Sequence, residues 1–116
     1  METIESQDSI LENFAHYAIE HGIAIGDGNH KKANKMHKFL TNIYIKANEN
    51  SRSAYFLDYL DHVNENVRLW AAIFSLKIDA KAAESSLNNL SKLSTITGLT
   101  AQTTLSMWKD GKLDLI

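Results

Sequence analysis

None of the 116 residues is proline, and that absence constrains the fold more than any other feature. Proline removes a backbone donor and collides with the preceding turn, so it is the usual residue that stops or kinks a helix. Only five glycines are present as well, leaving few points where the chain can reverse without strain. Apolar residues recur at helical spacing nearly everywhere, and the interruptions fall where Gly, Asn, Asp and Ser cluster. An all-α chain is the expectation.

Residues 1–8 are polar and expected to fray, with Asp8 or Ser9 capping a first helix. Its core stripe is Ile10, Leu11, Phe14, Ala15 and Ala18, and it is expected to stop near Gly22. The loop Gly26-Asp27-Gly28-Asn29 follows. The second helix, His30 to Ala47, is the cleanest amphipathic segment: Ala33, Met36, Leu40, Ile43, Tyr44 and Ala47 share one face at 100° per residue. Ser51 is expected to cap a third helix over 52–61, with Phe56, Leu57 and Leu60 inward. After a turn at His62–Glu65, Asn64 caps a fourth helix, Val67 to Leu76. That helix is apolar nearly all round, which places it at the centre of the protein. Asp79 caps a fifth, with Ala82, Ala83, Leu87, Leu90 and Leu93 inside. Past a Ser94–Gly98 linker, the sixth carries Ala101, Leu105 and Trp108 on one face and ends at Gly111. Six helices paired in order give three antiparallel hairpins in one domain, 1–116, the plan of an α-solenoid. A simple bundle is the alternative topology.

Composition removes several function classes. There is no cysteine, so disulfides, thiolate zinc sites and cysteine nucleophiles are impossible. Twelve Lys and Arg against fourteen Asp and Glu give a formal charge of −2, which does not suit a generic polyanion binder. The amino-terminal METIESQDS has neither a basic nor an apolar segment of the secretory kind, and no apolar run approaches the ~20 residues that span a bilayer. A cytoplasmic protein without a membrane partner is expected.

Catalytic and metal motifs are sparse. Glu12, His16 and Glu20 stand four residues apart on one face of the first helix, but the second helix with matching Glu and His ligands that a di-metal site needs is missing. Asp27-Gly28-Asn29 resembles a calcium loop only in its first residues, since position twelve is Lys38 where a bidentate Glu is required. No phosphate-binding glycine loop and no Gly-x-Ser-x-Gly elbow occurs. His30 and His37 lack a third ligand. The expectation is a protein with no catalytic residues, metal or cofactor.

Charge is distributed unevenly. Residues 1–30 hold six acids and no Lys or Arg, whereas residues 31–46 hold five Lys and no acid. Lys31, Lys35, Lys38 and Lys46 form one stripe on the second helix, suited either to an acidic partner or to balancing the first helix. Nucleic acid is the weaker reading, because the stripe has no interleaved aromatic or Arg. Arg52, Tyr55 and Tyr59 project together from the third helix and make a second candidate contact patch, from residue types that dominate binding energy. Trp70 and Trp108 are read as core.

Leu60-Asp61-His62-Val63-Asn64-Glu65-Asn66-Val67-Arg68-Leu69-Trp70-Ala71-Ala72 resembles the centre of a HEAT-type repeat. In that pattern a turn Asp precedes a Val-Arg pair and then small alanines. Ala71 and Ala72 permit close helix approach, and Arg68 can reach turn carbonyls or Asp61. Together with Gly26-Asp27 before Ala33-Asn34-Lys35, and with Leu105, Trp108, Lys109 and Gly111 through Leu113, the sequence resembles a family of small bacterial HEAT-like proteins. The resemblance implies three stacked hairpins in an α-α superhelix. It also implies stoichiometric binding of another protein, in its most concrete form an immunity or antitoxin-like protein that neutralises a cognate toxin. A nucleic-acid-binding HEAT-like protein is the alternative.

Overall fold

The computed structural model describes the backbone of residues 2–113 and the side chains of 13–113. It contains α1 (Glu2–Gly26), α2 (His30–Glu49), a 3₁₀ helix η1 (Ser53–Tyr59), α3 (Glu65–Ser75), α4 (Ala80–Leu90) and α5 (Ile96–Lys109). The described residues are thus all-α with six helices and no strand, and no helix among them is long and apolar enough to cross a membrane. The chain divides into two compact units, Met1–Tyr55 and Phe56–Ile116. The apolar end of the chain, residues 114–116, lies outside the described residues.

In the first unit α1 packs along α2. Two boundary expectations for α1 are overturned. It begins at Glu2 rather than after Asp8 or Ser9, because the polar amino-terminal residues contain no helix breaker. It also passes through Gly22, since a mid-helix glycine costs only about 1 kcal/mol and Ala24 beyond it is buried. The helix closes instead at Gly28, whose φ is 71°. Gly28 N donates to Ile25 O at 3.1 Å and Asn29 N to Ala24 O at 2.8 Å, the paired bonds that satisfy the last free carbonyls of a helix. Asn29 then caps α2, accepting from Lys32 N at 3.1 Å. The buried face of α2 is Ala33, Met36, Leu40, Ile43, Tyr44 and Ala47, as the spacing predicts, and α1 buries Phe14, Ala18 and Ala24.

Ser51 does not cap the third helix. It is the residue after the α2 C-cap, with φ 58°, and Arg52 N donates past it to Ala47 O at 2.7 Å. The third helix is a 3₁₀ segment of seven residues, tied to the end of α2 by a hydrogen bond from Ser53 Oγ to Asn48 Oδ1.

The second unit is built around α3, which buries Val67, Leu69, Ala71, Ala72, Ile73, Phe74 and Ser75. Asn64 caps it by accepting from Asn66 N and Val67 N, and Asp79 caps α4 by accepting from Ala82 N. α3 packs on α4, α4 on α5, and α3 also meets α5. Phe56 stands edge-on to Phe74 at 5.1 Å. Thr97 Oγ1 donates to Asn66 Oδ1 at 2.7 Å, tying α5 to α3. Trp70 and Trp108 are half-buried rather than fully enclosed, and Trp108 Nε1 donates to Glu84 Oε2 on α4 at 2.9 Å. Gly98 is not part of a linker. It lies in the first turn of α5, buried, where a Cβ would overlap the Leu93 carbonyl oxygen and come 3.1 Å from Leu90 O. Thr95 caps this helix through Gly98 N at 3.1 Å.

Candidate functional site

The second helix carries the stripe that its sequence spacing predicts. Lys31, Lys35, Lys38, Asn42 and Lys46 are all exposed, because the opposite face is committed to the core. Lys32 lies between the two faces and donates to Glu20 Oε1 of α1 at 2.7 Å. That hydrogen bond, and then the ammonium charge, hold the Glu20 carboxyl below its ordinary pKa. Glu20 is therefore occupied by a lysine, His16 is exposed, and the Glu12 side chain lies outside the described ones. No group of three or more potential metal ligands occurs among the described residues. Lys31, Lys35, Lys38 and Lys46 have no ion pair among the described residues.

Aromatic groups stand beside these lysines, which the linear stripe did not reveal. Tyr17 of α1 and Phe39 of α2 have ring centroids 4.8 Å apart, and the Lys35 ammonium lies 6.0 Å from the Phe39 centroid, at the outer limit of a cation–π contact. Tyr17, Phe39 and Ile43 also line a recess of about 170 Å³, rimmed by Asn13, Asn42 and Lys46. Phe39 lies off the apolar stripe of α2, so the core period does not single it out. Its spacing of four from Lys35 and seven from Lys46 is the signal that finds it.

A histidine pair lies on the same hairpin, with the His21 and His37 rings 6.4 Å apart. Burial, and secondarily the charge of His37, push the His21 pKa below its ordinary value.

Arg52 is exposed and Tyr55 half-buried in the first unit, while Tyr59 belongs to the second and stacks on His62, with centroids 6.0 Å apart and planes 11° apart. Of the resemblance motif, Val67, Ala71 and Ala72 are buried. Arg68 reaches the turn carbonyls of His62 at 2.8 Å and Val63 at 3.1 Å, and it forms no ion pair with Asp61.

A third surface lies on α5. No charged residue occurs between Lys92 and Lys109, and Ile96 and Leu99 on α5 are 54% and 63% exposed. The hydroxyls of Thr100 and Thr103 bond back to the carbonyls of Ile96 and Leu99, which leaves this face mainly apolar.

No family model and no curated protein matches the sequence. Among solved structures, the crystal structure of the protein RPA1889 from Rhodopseudomonas palustris CGA009 is similar in fold, with a TM-score of 0.81. The likeness covers 93% of this chain and 92% of that one at 20% sequence identity. The chain is a small all-helical protein with this structural neighbour.

Proposed function

We propose that this chain is a non-catalytic protein-binding module that docks an acidic partner on the outer face of α2. The observation that carries the reading is the set of four exposed lysines on one helix, unpaired among the described residues, with Lys35 and Lys46 beside the Tyr17–Phe39–Ile43 recess. Lysines supply long-range attraction and orientation, while a half-buried aromatic pair supplies apolar area that is already ordered. A partner surface with carboxylates around one apolar side chain would satisfy both. The concrete form of the proposal is a HEAT-like immunity or antitoxin-like protein that occludes a cognate toxin and turns nothing over, acting in the cytoplasm.

A second reading, single-stranded nucleic acid, gains from the aromatic pair, because bases can stack on rings set among lysines. The two separate by salt dependence. A tagged pull-down from lysate of the native host at moderate and high salt, with identification of what is retained, tests the proposal. One protein held near one-to-one at both salts supports it, provided that Lys31→Glu with Lys35→Glu weakens the capture. Nucleic acid that elutes steeply as salt rises would replace it with the second reading.

A further inference from the structure

Leu57, Leu60, Ala82 and Leu93 occupy positions that helical spacing assigns to the core, yet all four are only half-buried. The reason is a cavity of about 440 Å³ inside the second unit, between η1, the turn after it, the start of α3, and α4. Small-molecule sites fall in the range of roughly 300–1,000 Å³ and combine apolar walls with a few convergent polar groups. Here Leu57, Leu60, Leu90 and Leu93 make the apolar wall.

The polar lining is the informative part. Asp61 and Arg68 both face this cavity but are not ion-paired with each other. Arg68 is fixed by one nitrogen, Nη1, which donates to His62 O and Val63 O. Those bonds hold the guanidinium in place and leave its other edge uncommitted among the described residues. The Asp61 carboxylate makes no described hydrogen bond at all, and neither do the side chains of Ser86 and Asn89 on the facing helix. Asp61 is exposed at the mouth of this space, and the two carbonyls fix the Arg68 guanidinium by Nη1 alone.

A space bounded by a guanidinium, a carboxylate and leucines has the complementarity of an apolar amino acid. We propose that this cavity binds the zwitterion of a small apolar α-amino acid. The ligand carboxylate meets Arg68, whose planar donors suit it. Its ammonium meets Asp61, its side chain packs among Leu57, Leu60 and Leu93, and the Ser86 and Asn89 side chains take up the remaining hydrogen-bonding capacity. This site is independent of the lysine face on α2.

Titration of the isotopically labelled chain with L-leucine, followed by amide ¹H–¹⁵N spectra, tests the proposal. Saturable shifts confined to the neighbourhood of Asp61, Arg68, Ser86 and Asn89 are expected. L-leucinamide, which lacks the carboxylate, and 4-methylpentanoate, which lacks the ammonium, should each bind about tenfold more weakly or worse, since each loses one charge-assisted contact. Arg68→Gln should abolish binding, but it also loosens the turn that Arg68 ties. Asp61→Asn removes a side chain with no described hydrogen bond or ion pair, so folding is retained. That variant should lose the preference for leucine over 4-methylpentanoate. Absence of saturable shifts with leucine, shifts centred elsewhere, or an Asp61→Asn chain that keeps the preference would each overturn the assignment.

Discussion

At the scale of single residues, two backbone positions set sharp expectations. Ser51 holds φ at 58°, a conformation that costs an L-residue about 1–2 kcal/mol and costs glycine almost nothing. Its side chain is exposed, and the bond that needs this geometry, Arg52 N to Ala47 O, is a backbone one. Ser51→Gly should therefore stabilise the fold by up to about 1 kcal/mol after the greater freedom of glycine in the unfolded chain is subtracted. The check is a higher urea midpoint with an unchanged slope, and a lower midpoint would refute the argument. Gly98 is the converse. Any Cβ there strikes backbone atoms of Leu93 and Leu90, which cannot rotate away as a side chain would. Gly98→Ala should cost about 2–4 kcal/mol despite the better helix propensity of alanine, visible as a large drop in melting temperature. Both positions were misread in the sequence for one reason. Ser51 and Gly98 are each compatible with a cap or linker by residue type, and only the path of neighbouring backbone shows that one is a strained helix end and the other a close packing contact.

At the scale of elements, the apolar period predicted α2 and α3 well because each has one side or nearly all sides committed to neighbours. The six buried positions of α2 are the six that fall together at 100° per residue. Caps at Asn64 and Asp79 were legible because short polar side chains precede apolar runs. What the period does not contain is whether a face is filled once it turns inward. Leu57, Leu60, Ala82 and Leu93 read as core and wall a cavity instead, since the space between two elements depends on their separation rather than on their patterns. The same limit hid the Tyr17–Phe39 contact and the approach of His21 to His37, each of which joins two helices. The lowered His21 pKa predicts a pH-sensitive α1–α2 hairpin. An unfolded His titrates near 6.5, and burial with the nearby His37 lowers the folded value of His21. The unfolded chain therefore takes up the proton first. The stabilising contribution is complete above about pH 6.5 and is lost as pH falls from there through the lowered folded pKa. Chemical denaturation between pH 7.5 and 5 should show declining stability, and His21→Gln should flatten that decline. An identical decline in the variant would place the sensitive group elsewhere.

At the scale of the whole molecule, charge is balanced overall and uneven in place. Each compact unit carries seven acidic and six basic residues, so neither has the broad positive excess on which non-specific polyanion binding depends. The lysines matter through position: four of the six basic residues in the first unit stand on the outer face of α2, whereas the fifth lysine, Lys32, is held by Glu20. A local patch on a weakly acidic chain should steer an oppositely charged partner and do little to retain it, because exposed rim charges change association more than dissociation. For the protein recovered by pull-down, the association rate should fall as salt rises while the dissociation rate stays nearly constant. Replacing Lys31, Lys35, Lys38 and Lys46 together by Glu should slow association at least about tenfold. Because all four side chains are exposed, thermal stability should change little. Phe39→Ala should act on the other rate, speeding dissociation by removing an ordered apolar contact beside the recess. Stopped-flow or surface-binding kinetics on these two variants separate the contributions. If reversing the four charges leaves the association rate unchanged, the acidic partner docks on some other face, and the stripe is only the solvated side of an amphipathic helix.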